Sequence, residues 1–207
     1  MKTRIKAWAT PFFALALTVL VSAPAGAQGF GVSGGLSLSD FSGDDVGDPD
    51  SRTGVNVGAF LDFALGDIIF FDPGLYYIQK GAESEGVGDE TFALDYLELP
   101  LLLRIAISPE RTFGFNAYLG PTLAYNLSCE ASVGSISVDC DESGADVKNF
   151  DFGAAFGAGL SYEMSPGMAL LATGIWDLGL TSIDDSGDEL DFKNEAILLS
   201  VGLLFRR

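Results

Sequence analysis

Apolar and non-apolar residues alternate with a period of two along most of the chain beyond residue 27. Between 112 and 127 one face carries Phe113, Phe115, Leu119, Leu123 and Leu127, and the other Gly114, Asn116, Gly120, Thr122 and Asn126. From 150 to 164 the pattern returns, with Phe150, Phe152, Phe156 and Leu160 set against Asp151, Gly153, Gly157 and Ser161. Such alternation marks a β-strand whose two faces meet different surroundings. Extended along the chain, it predicts eight strands, at 29–39, 53–65, 68–80, 93–107, 112–127, 150–164, 168–181 and 193–205. The connections alternate in length: 66–67, 108–111 and 165–167 are tight, whereas 40–52, 82–92, 128–147 and 182–192 are long. An antiparallel up-and-down barrel is the closed form that this rhythm predicts.

The N-terminal segment lies outside the pattern. Lys2, Arg4 and Lys6 precede an apolar run from Ala7 to about Val21, and the small residues Ala25, Gly26 and Ala27 follow. This three-part layout is that of a secretory signal, and the run falls short of the roughly 20 residues that a spanning helix needs. Residues 1–27 are therefore expected to be a signal peptide cleaved before Gln28, and 28–207 a single barrel domain. All 29 acidic residues lie beyond that point, but three of the 11 basic ones precede it, so the remainder is even more acidic than the whole-chain net charge of −18. Nucleic acid is an unsuitable partner for such a surface. Yet the mean hydropathy is +0.30, so the charged and apolar residues must occupy separate zones.

That separation distinguishes two kinds of exported barrel. A soluble lipocalin-type barrel fills its interior with bulky apolar groups and covers its exterior with Lys, Glu and Thr. Here the non-apolar face is mostly Gly, Ala, Ser and Asn, which suits a narrow interior, leaving the apolar face for lipid. The fold class expected is all-β, an eight-stranded antiparallel transmembrane β-barrel of outer-membrane type, with tight turns and both termini on the periplasmic side. Pro73, Pro100 and Pro121 fall inside strands, where each removes a ladder hydrogen bond, and a β-bulge is expected at each.

The segment Tyr96-Leu97-Glu98-Leu99-Pro100-Leu101-Leu102-Leu103-Arg104 resembles the Tyr-Leu-Glu-Ile-Pro-Leu-Leu-Leu-Lys signature of PorT-type outer-membrane barrels. Gln79-Lys80-Gly81, Gly120-Pro121 and Gly157-Ala158-Gly159 are similar to that family's pattern as well. The resemblance implies an outer-membrane barrel with no established catalytic residues, some of whose relatives take part in protein secretion.

Chemistry is sparse. The chain has no histidine, which removes the usual general base of outer-membrane hydrolases, and only two cysteines, which disfavours zinc. No enzymatic activity and no cofactor are expected. Eight ionisable residues fall on the inward face as a lumen polar network: Asp62, Asp72, Lys80, Glu98, Arg104, Asp151, Glu163 and Asp177. Strand position sets Arg104 level with Asp62, Asp72 and Glu163, and Glu98 nearer Lys80. Six acids against two bases predict trapped water, bound cations or protonated carboxyls, in a structural plug or a narrow proton- or cation-conducting path. Cys129 and Cys140 lie in the longest connection, on the oxidising side, and are expected to form a disulfide. The four long loops hold 19 of the 29 acidic residues, and Asp184, Asp185, Asp188 and Asp191 are candidates for weak calcium or magnesium binding. The partners expected are outer-membrane lipid, divalent cations and other envelope or secretion proteins. The expected role is structural or interactive, with a cation-selective channel and a secretion-machine subunit as the alternatives.

Overall fold

In the computed structural model, the described residues are 27–43, 50–84, 90–107, 112–134, 136–140, 147–183 and 192–206. The expected signal segment, apart from Ala27, lies outside them, as do Asp184, Asp185, Asp188 and Asp191. Eight long strands form the barrel: β1 (Gly29–Ser42), β2 (Asp50–Ala64), β3 (Ile69–Ser84), β4 (Glu90–Ile107), β5 (Phe113–Val133), β7 (Phe150–Ser165), β8 (Met168–Gly179) and β9 (Lys193–Arg206). A short strand, β6 (Ile136–Asp139), follows β5. Each barrel strand pairs antiparallel with its sequence neighbours, and β1 pairs with β9 to close the ring, with β6 attached to the side of β5.

Carrying the register around the ring, with Gly29 paired to Asp62, Asp72 to Leu102, Gly120 to Ala155, Ala155 to Asp177 and Asp177 to Ala196, returns to β1 at Ser39. A stagger of this kind tilts the strands and sets the width, and eight strands leave an interior just large enough for side chains. The outward face is apolar, as membrane contact requires: Phe115, Leu119, Leu160 and Val201 are all more than half exposed. Aromatic pairs border this belt. Phe30 stacks on Phe205 and Phe113 meets Tyr162 near the end where β1 begins and β9 ends, while Tyr125 meets Phe150 and Phe156 meets Trp176 toward the other. Rings at both edges are the arrangement expected at lipid–water boundaries.

Two expectations need correction. The connection 128–147 is partly regular: β5 continues to Val133 and turns back as β6, because Val133 and Ile136 flank a tight turn in which Gly134 takes a positive φ of 59°. The prolines are not at bulges. Register shifts fall between Ser51 and Asn56, between Asp95 and Tyr96, and between Glu163 and Ser165. Pro73 still pairs with Leu101, Pro100 with Thr122 and Pro121 with Ala154. A strand residue directs its N–H to one neighbour only, so proline interrupts the ladder on that side and keeps the other intact.

Candidate functional site

The barrel interior is the site that the strands build, and its charges gather in two clusters. Near the tight-turn end, Arg104 of β4 extends between β2 and β3. Its Nη2 donates to Asp62 Oδ2 at 2.5 Å and its Nε to Asp72 Oδ2 at 2.6 Å. Arg206, at the end of β9, donates to the same Asp62 oxygen at 3.2 Å. Both guanidinium groups lie over the Phe70 ring, at 4.2 and 5.2 Å from its centre, where the ring's negative face favours a cation. Arg104, Asp62 and Asp72 are buried, and a planar fork that reaches two carboxylates at once offsets much of their desolvation.

Toward the long-loop end, Lys80 of β3 donates to Glu98 Oε2 at 2.8 Å and to Asp177 Oδ2 at 2.5 Å. The Thr122 hydroxyl donates to the other Asp177 oxygen at 3.0 Å. Among the described residues Asp151 has no ion-pair partner and is held by neutral donors, the Thr181 hydroxyl at 2.8 Å and Asn194 Nδ2 at 3.0 Å. The same Asn194 amide donates to the Tyr96 hydroxyl at 2.9 Å.

Apolar groups close the spaces around these clusters. Phe60, Leu171 and Leu204 pack around the first. Leu94, Tyr96, Ala124 and Ile183, with Phe41, Phe92 and Phe192, fill the mouth beyond the second. Between them lies a cavity of about 80 Å³, lined by Asp72, Tyr76, Glu98 and Tyr118, by the smaller polar groups of Ser33, Asn56, Thr173 and Ser200, and by apolar neighbours. That is space for a few water molecules, at about 30 Å³ each. The buried Tyr118 hydroxyl has no hydrogen-bond partner among the described residues, so water in this cavity is its natural acceptor.

The structure brings together Arg104 with Asp62 and Asp72, and Lys80 with Glu98, and it adds Asp177 to Lys80. Glu163 is a correction. It shares the inward parity of β7 but is exposed, beside the irregular last pairs of β7 with β8, and is not one of the buried charges. Arg206 was not expected; it follows the last apolar alternation, and only closure of β9 onto β1 carries it to Asp62. Without the exposed Glu163, and counting Arg206, which is itself 40% exposed but reaches Asp62, five acids face three bases. Cys129 and Cys140 form a disulfide, with Cα atoms 5.4 Å apart. Among the described residues, no group of His, Cys, Asp or Glu is arranged to hold a metal ion.

A closed eight-stranded barrel, apolar outside and ion-paired inside, fits the family model described as outer membrane protein beta-barrel domain, which matches residues 24–185. The chain belongs to that family. Among solved structures, this outer-membrane barrel is similar to Neisserial surface protein A, at 15% identity and a TM-score of 0.50, over 86% of this chain and 97% of that one. It is also similar to Ail of Yersinia pestis, at 18% identity and 0.45 over 86% and 99%. OprG of Pseudomonas aeruginosa matches at 15% and 0.47 over 87% and 97%. A search of curated proteins finds no match. The family places the barrel in the bacterial outer membrane.

Proposed function

We propose that this outer-membrane barrel is a non-enzymatic scaffold whose interior is a structural plug and whose working surface is the rim that carries the long loops. The observation that carries this reading is the layering of the lumen: two ion-paired clusters alternate with packed apolar side chains, and the cavity between them measures about 80 Å³. A conducting pore would need continuous water, and eight strands leave little room for it. In this reading the tight turns and termini face the periplasm, residues 1–27 are removed on export, and the long loops project outside.

A nearer kinship to PorT-type barrels has support in the 96–104 segment. Tyr96, Glu98 and Arg104 face the lumen, whereas Leu99 and Leu103 are exposed on the lipid side, so that motif supplies part of both charged clusters. Its role would then be architectural. The test is conductance. Protein reconstituted into planar bilayers should give no current above the lipid background, and stable single-channel openings would overturn the closed-plug reading.

A further inference from the structure

The hairpin of β5 and β6 extends the wall of the barrel past the apolar mouth. β4, β5 and β6 form three adjacent strands there, with Phe92 opposite Ala131 and Ala131 opposite Val138. Strand parity gives the extension two chemically different faces. Ala131, Val133, Ile136 and Val138 share the side on which Leu94 and Cys129 pair; Glu130, Ser132, Ser137 and Asp139 share the other. Val133 is 52% exposed, Ile136 69% and Val138 38%.

Three features are unspent. The first is an edge: among the described residues β6 pairs with β5 alone. In a hairpin with a two-residue turn, the flanking pair, Val133 and Ile136, exchanges both backbone hydrogen bonds, so the N–H and C=O groups of Ser137 and Asp139 point away from β5. These groups form a short template for another strand. The second is the apolar face beside that edge. The third is electrostatic: Glu130 and Asp139 are direct cross-strand partners, and like charges directly opposite each other are destabilising. A cation from outside would relieve them. Ser132 and Ser137 share a hydrogen bond of 2.8 Å on the same face, so no cation is supplied by that row.

We propose that the β6 edge docks an extended segment of a partner protein by strand addition, and that the segment alternates apolar with Lys or Arg side chains. Its apolar residues lie along Ile136 and Val138, and its cations meet Asp139 and Glu130. Main-chain pairing supplies the attachment and the alternating side chains the selectivity. The inference rests on the scaffold reading of the rim, and it names the chemistry of the partner.

The test uses the full barrel in zwitterionic lipid nanodiscs, with empty nanodiscs as control and fluorescence anisotropy as readout. The probes are a ten-residue peptide alternating Val and Lys, a matched Val and Glu peptide, and the Val/Lys peptide with alternate amides N-methylated. The first should bind at least tenfold more tightly than the other two. Ser137→Pro removes a donor from the open edge and the Ser132–Ser137 side-chain bond while leaving the hairpin's own backbone bonds, and should weaken Val/Lys binding at least tenfold. Glu130→Gln should weaken binding yet make the free hairpin more resistant to proteolysis, opposite signs that a merely structural residue would not give. Absence of binding, equal binding of the N-methylated peptide, or unchanged binding to Ser137→Pro and Glu130→Gln would overturn the proposal. A conducting barrel that still bound the peptide would overturn the plug alone; a closed barrel without binding would overturn only this inference.

Discussion

Arg104 is the residue on which the first lumen cluster depends, because one guanidinium satisfies two buried carboxylates. Arg104→Gln would leave Asp62 and Asp72 as neighbouring buried anions with Arg206 as the one cation beside them among the described residues. Breaking such a group by removing one partner costs roughly 3–5 kcal/mol. Urea unfolding in detergent micelles should show a loss of that size. Arg104→Lys should recover only part of it, since a point charge cannot reproduce the fork that reaches both carboxylates. A second residue-scale prediction concerns Gly81, where the chain adopts a φ of +126° and a Cβ would meet the carbonyl of Phe92 on β4. Gly81→Ala combines a disfavoured backbone with a direct clash, and should destabilise by about 1–3 kcal/mol in the same measurement. The effect arises where β3 and β4 leave the barrel, so the near-ultraviolet signature of the lumen aromatics should persist.

The β5–β6 hairpin is the element in which local and tertiary constraints separate. The disulfide closes it at the base, and two strands alone are only marginally stable in water. By the chain-entropy estimate, a bridge closing about 12 residues contributes about 3 kcal/mol to the order of that loop. Reduction should therefore open the segment beyond Cys129 to proteases while the barrel itself stays folded, read as cleavage confined to 130–140 with an intact transmembrane core. Thiol labelling of the unreduced, denatured protein should find no reactive cysteine. The strands beneath differ, since each has two partners and a closed ladder leaves no edge from which to fray.

Closure also governs the behaviour of the whole molecule. Every barrel strand is hydrogen-bonded on both sides, and the outward face is apolar at mid-height, so local opening exposes backbone groups that lipid cannot satisfy. The barrel should stay compact in mild detergent and unfold only on heating, giving boiled and unboiled samples different mobilities on a gel. Identical mobility, or recovery as a water-soluble species, would contradict membrane insertion. The lumen reinforces this cohesion, because Lys80 links β3 to β8 and Arg104 links β4 to β2 across the interior.

The sequence by itself determined the fold class, the eight barrel strands and the alternation of two faces along them, because a period of two is set by backbone geometry and needs no distant partner. It also determined which inward charges lie at similar heights, since strand length converts residue number into depth; Arg104 with Asp62 and Asp72 follows from that alone. What only the tertiary structure decided depends on register and curvature around the ring. The stagger from Gly29 to Ser39 carries Asp177 to Lys80 and Arg206 to Asp62, pairings that join residues 97 and 144 positions apart. Whether the ladder tolerates a proline without a shift of register, as it does at Pro73, Pro100 and Pro121, is decided by the pairing on its other side. That tolerance is a property of the paired sheet, and no alternation pattern along one strand contains it.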